Sequence, residues 1–181
     1  MIDKNISRIL KERRSVFPKQ FNGEIIEKKI VQEILINANQ APTHKMTQPW
    51  FFKVFSKSSK NKLKNVIVDK GENKSNLEKL DLNFAKTSHI ICICMRRNTK
   101  VPEWEEIAAT SMAVQNIWIS CVNSNIGGYF STPNWISEIK DFLNLKNNER
   151  CLGLFYLGKH NKLNDRNLDR KDIVNDTIWF E

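Results

Sequence analysis

Apolar positions along this chain follow two periods. Ile2, Ile6, Ile9 and Leu10 recur at helical spacing over residues 2–13, and Ile26, Ile30, Ile34, Leu35 and Ala38 do so over 25–40, so each stretch predicts a helix with one buried face. Trp50-Phe51-Phe52-Lys53-Val54-Phe55 has the aromatic and branched content of a strand. Leu63, Val66 and Ile67 predict a helix over 63–69, and Leu77, Leu80, Leu82 and Phe84 predict a further helix or covering lid within 71–87. His89 to Met95 is a nearly unbroken apolar run, as expected of a strand buried on both faces, and Cys151 to Gly158 reads the same way.

The longest helix is predicted over 103–125, a stretch with no internal Gly or Pro. Trp104, Ile107, Ala108, Met112, Trp118 and Cys121 mark one stripe, and Ala109, Val114, Ile117 and Ile119 widen the apolar arc past a single face, which predicts neighbours on several sides. Pro102 and the acidic Glu103, Glu105 and Glu106 suit its start, while Gly127-Gly128 are expected to end it and lead into a short aromatic strand through Thr132. Residues 134–143 predict another helix capped by Asn134. Ile173, Val174, Ile178, Trp179 and Phe180 make the carboxyl terminus apolar, so it is expected to dock on its own body or on another subunit. This order of elements predicts an α+β fold, one sheet covered by helices.

Composition narrows the picture. The 181 residues suffice for one sizeable core, and a single domain over 1–181 is expected. Polar residues interrupt every apolar run well short of the roughly 20 residues that cross a bilayer. The net charge of +9 raises the question of an anionic partner, but the densest basic segment, Lys57 to Lys74, carries no interleaved aromatics and reads as a solvated surface. Cys92, Cys94, Cys121 and Cys151 sit inside apolar runs with neither zinc-site nor disulfide spacing, as small core residues of a reducing compartment do. The amino terminus is an interrupted amphipathic stretch rather than a signal peptide, so a cytoplasmic location is expected.

Neither a P-loop nor a G-x-G-x-x-G dinucleotide fingerprint is present. Arg13-Arg14-Ser15 closes the first helix with two guanidiniums and a hydroxyl, donors suited to a phosphate. Residues 41–50, Ala-Pro-Thr-His-Lys-Met-Thr-Gln-Pro-Trp, form a polar loop between helix and strand, a place where function often sits.

These segments resemble, in order and spacing, the nitroreductase family of FMN-dependent oxidoreductases, in particular its small bacterial branch. The resemblance rests on Arg13-Arg14-Ser15, on Ala41-Pro42-Thr43-His44 with Gln48-Pro49-Trp50, on Lys100 to Glu105, on Ala113-Val114-Gln115-Asn116, on Gly127-Gly128 and on Leu154 to Gly158. It implies a nitroreductase-like α+β homodimer with a central, mainly antiparallel sheet. The long helix would lie at the subunit interface, two FMN sites between protomers, and the tail from about residue 159 would extend onto the partner.

Carried over by motif, Arg13, Arg14 and Ser15 would hold the FMN phosphate and ribityl chain, with Arg170 as a second phosphate contact. Thr43 and His44 would approach the ring across the interface, and Phe130, Ser131 and Thr132 would line it. The chain departs from the pattern at Phe17, where many relatives carry a third basic residue, and at Phe130-Ser131-Thr132, where the branch has Trp-Arg-Ser. The implied activity is ping-pong transfer of hydride or electrons from NAD(P)H to a small acceptor such as a nitroaromatic or quinone. Because flavin performs that chemistry itself, no catalytic side chain and no metal are expected. A flavin-fragmenting or dehalogenating enzyme on the same scaffold is the alternative within the class, and a basic nucleic-acid-binding module the alternative outside it; the first reading expects neither nucleic acid nor membrane as partner.

Overall fold

The structure, a computed structural model, describes residues 3–70, 77–164 and 170–181; the expectations placed on Ile2, on 71–76 and on 165–169 lie outside these. Helices α1 (Lys4–Glu12) and α2 (Lys28–Ala38) precede strand β1 (Trp50–Ser56), and α3 (Ser59–Asp69) and α4 (Leu77–Lys86) precede β2 (His89–Arg96). The long helix α5 (Glu103–Ser120) then leads to β3 (Ile126–Ser131), and β4 (Glu149–Lys159) completes the sheet. The stretch 71–87 is therefore helical from Leu77 onward.

The sheet is antiparallel throughout, in the order β1-β2-β4-β3. With period 2, successive side chains of the central strands serve opposite faces. Ile91, Ile93, Phe155 and Leu157 join Ile34, Ala113 and Ile117 of α2 and α5 on one face. Ile90, Cys92, Cys94, Cys151 and Leu154 join Leu63 and Ile67 of α3, Phe84 of α4, and Trp135 and Ile139 on the other. β2 is buried on both faces because helices cover both, and all four cysteines are buried free thiols. Burial pushes the Cys121 thiol up to about 12.

The start of α5 is anchored by a carboxylate inside the core. Glu106 is 0 % exposed and takes hydrogen bonds from the Arg97 guanidinium at 2.8 Å and from the Asn98 backbone N–H at 3.0 Å. A buried charge is tolerated when paired and hydrogen-bonded in this way. Within this chain α5 buries one broad face rather than several, while Trp104 and Met112 stay exposed.

Two local expectations change. The glycine pair does not end α5, which stops at Ser120 and turns through Asn123 in the left-handed region (φ 60°). Gly127 and Gly128 lie inside β3, where a Cβ would stand 2.5 Å from Val16 and 2.1 Å from the Phe155 ring. Their role is close approach of neighbours, not helix termination. Residues 134–143 form a 3-10 helix only over Asn134–Ile139, whose backbone follows Pro133, and Asn134 does not cap it. Ile136 donates to Pro133 and Lys140 to Ser137, the tighter pattern that seats both Trp135 and Ile139 in the core. No helix among the described residues is long and apolar enough to cross a membrane.

Candidate functional site

The chain leaving α1 runs beside β3. The Val16 N–H donates to the Gly128 carbonyl at 3.0 Å, which the Trp118 indole N–H also reaches at 2.9 Å. This ties Arg13-Arg14-Ser15 to the strand that carries Phe130 and Ser131, so residues more than a hundred positions apart become neighbours. The missing side chain of Gly127 is what lets Val16 come so close. The Arg13 guanidinium lies over the Trp118 ring, 5.3 Å from its centroid, and Phe130 meets the same indole edge-on at 6.4 Å. Arg14 donates to the Asn164 carbonyl at 2.9 Å, while its buried Nε has no acceptor among the described residues. A buried guanidinium N–H is costly to leave unpaired, and an anionic oxygen is the acceptor it fits best. Arg14 also lines a small nook of about 130 Å³ with Gly127 and His160.

Next to this segment lies a cavity of about 400 Å³, within the size range of small-molecule sites. Phe17, Tyr129 and Tyr156 form one wall, Leu80, Asn83 and Phe84 of α4 another, and Ser131 its polar edge. Phe17 and Tyr129 pack with ring centroids 4.7 Å apart, and Phe84 meets Tyr156 edge-on at 6.1 Å. Burial first, then the nearby Cys92 and Tyr129, push the Tyr156 phenol above its ordinary range, so it stays neutral at physiological pH. A flat aromatic wall, neutral hydrogen-bonding groups and an adjoining arginine pair suit a planar ring carrying a phosphorylated chain. On that donor set, and on the orphaned Arg14 Nε, the residues present fit FMN.

The other motif stands elsewhere. Thr43 and His44 lie at the opposite end of α5, where the His44 imidazole Nδ1 pairs with the Glu105 carboxylate at 2.5 Å and Thr43 Oγ1 accepts from the Gln48 N–H at 3.1 Å. Glu105 and Trp118 are 13 residues apart on one helix, so about 20 Å of axis separates the His44 end from the Arg13 end. Within one chain no single ring can touch both motifs. Pro42, Thr43, His44, Trp104, Ala108 and Met112 line a shallow surface at the His44 end.

Thr132 is exposed just past β3, and Arg170 is exposed in the tail. Three contributors carry no local sequence signal. Tyr129 and Tyr156 read only as strand aromatics, and the cavity-facing residues of α4 sit in the stretch whose periodicity is least regular. Glu105 reads as a dipole-favouring acid but also orients His44. Among the described residues no group of three or more His, Cys, Asp or Glu is placed to hold a metal.

Comparison with known proteins bears on the family and the fold. The family model described as "Nitroreductase family" matches residues 10–159. YfhC of Bacillus subtilis (strain 168), by its name a candidate NAD(P)H nitroreductase, is 26% identical over 161 residues, covering 83% of this chain and 81% of that protein. Among solved structures, a nitroreductase-like family protein from Bacillus cereus superposes with a TM-score of 0.86 at 22% identity over 100% of this chain and 98% of that one. The FMN-dependent nitroreductase NfnB from Mycobacterium smegmatis, in complex with NADPH, gives 0.76 at 14% identity, covering 97% and 98%. These two likenesses establish the fold.

Proposed function

The chain belongs to the nitroreductase family, and from that premise we propose that it is an FMN-dependent oxidoreductase moving reducing equivalents from NAD(P)H to a small acceptor, a nitroaromatic or a quinone. FMN, when bound, supplies hydride and electron transfer itself, which leaves the protein to bind, orient and shield it. Arg13, Arg14 and Ser15 would hold the phosphate and ribityl chain, and Phe130, Ser131 and Thr132 would line the ring together with the aromatic cavity wall.

The observation that carries this reading is the arginine segment seated on β3 beside an aromatic cavity, with a buried Arg14 Nε that no acceptor among the described residues satisfies. The reading includes a homodimer, in which a second copy would present its Thr43 and His44 to the arginine end of the first; the distance along α5 supports it. The exposed Trp104 and Met112 of α5, and the tail with Ile178, Trp179 and Phe180, are the apolar surface such a pairing would cover.

The test is reconstitution. The purified protein should bind FMN, lose its yellow absorbance when NADH or NADPH is added without oxygen, and regain it with a nitroaromatic or quinone. Assaying halotyrosines in parallel separates the dehalogenating alternative. A protein that binds no FMN at any concentration refutes the proposal.

A further inference from the structure

The aromatic cavity carries two ammonium groups and no carboxylate in its lining: Lys79 on the α4 wall and Lys19 in the 3-10 helix Pro18–Gln20. Resting on the FMN reading above, we infer that Lys79 and Lys19 together supply positive charge beside the flavin ring, in place of the basic residue that many relatives carry where this chain has Phe17.

Phe17 cannot carry that charge, and its side chain is committed to the wall through the Tyr129 ring. Lys79 and Asn83 stand four apart on α4, hence on one helical face, and both line the cavity. Three lysines pair with carboxylates, Lys64 with Asp81, Lys159 with Glu24 and Lys171 with Asp176. Neither Lys19 nor Lys79 has a carboxylate partner among the described residues, so both charges remain available to a ligand.

The two backbones are also held in place across the opening. Lys86 Nζ donates to the Lys19 carbonyl at 3.3 Å, tying the 3-10 helix to the end of α4. Lys60, buried under α4, donates to the Phe84 carbonyl at 2.7 Å and to that of Thr87. A cation fixed beside the ring favours its electron-richer state over the neutral one, so the pair raises the reduction potential of bound FMN.

The experiment is the two-electron potential of bound FMN, measured by equilibration against a reference dye, with FMN affinity measured alongside. Lys19→Met with Lys79→Met should shift the oxidised-to-reduced preference about tenfold, a fall of about 30 mV. Lysine returned by Phe17→Lys in that background should restore it, and Lys79→Arg alone should leave it near wild type. Both lysines are exposed, so circular dichroism should show the fold intact. A double variant that binds FMN at an unchanged potential overturns the inference and leaves the enzyme reading standing, as does failure of Phe17→Lys to restore a lowered one. Failure of the wild-type chain to bind FMN at all overturns both.

Discussion

Glu106→Ala tests whether the first turn of α5 is held by its buried carboxylate. The wild-type side chain is 0 % exposed and receives the Arg97 guanidinium and the Asn98 N–H. Truncation leaves a cation and a backbone donor without their acceptor. Breaking a buried pair from one side costs about 3–5 kcal/mol, and because the Arg97 side chain is 30% exposed, water recovers part of this, which puts the expected loss near about 3 kcal/mol. At about 2–4 °C per kcal/mol for a chain of this size, Tm should fall by roughly 6–12 °C. Urea unfolding at one fixed protein concentration is the assay, since the stability of a dimer depends on concentration. Arg97→Met strands the fully buried carboxylate and should lose at least as much as Glu106→Ala, and the double variant should lose less than the sum of the two. A loss under about 1 kcal/mol for Glu106→Ala, with additive singles, would mean that the carboxylate is not desolvated and that this account of the anchor is wrong.

Other outcomes follow from single residues. Gly128→Ala puts a Cβ 2.1 Å from Phe155, which is 0 % exposed and already meets Trp118 at 5.4 Å, so overpacking should cost about 2–3 kcal/mol in urea unfolding; a neutral variant would show that β3 can shift freely. Burial, with the Lys60 ammonium adding to it, holds the His89 imidazole below its ordinary value, and Nδ1 is hydrogen-bonded at 2.8 Å to the Ser88 hydroxyl, which accepts from the Ile26 N–H. The unfolded chain therefore takes up a proton near pH 6.5 that the folded one refuses, so stability should fall on acidification from about pH 7 to 5, by at most about 1.4 kcal/mol per pH unit from this residue; His89→Gln should flatten the slope, and parallel slopes refute the assignment. Trp179 and Phe180 are 81% and 94% exposed in the protomer, so Trp179→Ser with Phe180→Ser should leave circular dichroism unchanged yet weaken dimerisation in sedimentation. At about 1.5–3 kcal/mol per buried aromatic the dissociation constant should rise about 10²-fold or more, and an unaltered constant removes the tail from the interface.

How far the sequence reaches depends on what each signal physically reports. Helical spacing locates α1, α2 and α5, and aromatic or nearly unbroken apolar runs locate β1, β2 and β4, within a few residues, because the pattern records which faces of an element lose water. Pattern does not distinguish a 3-10 turn from an α-helix at 134–139, where the same buried Trp135 and Ile139 satisfy either geometry. Gly127-Gly128 shows the same limit. A glycine pair after a helix reads as a stop, yet here the missing side chains serve Val16 and Phe155, neighbours that only the sheet brings near.

The sequence by itself determined most of the secondary elements, the α+β class, the buried cysteines and the motifs that carry the family resemblance, since each depends on residue type and local spacing. Tertiary structure alone decided that Arg13-Arg14-Ser15 lies along β3, that α4 walls the cavity with Lys79 and Asn83, and that the Arg13 and His44 motifs stand at opposite ends of α5. The reason is physical: local spacing tells a side chain to leave water but not which distant element will receive it, and that choice is made by the packing of the whole chain at once.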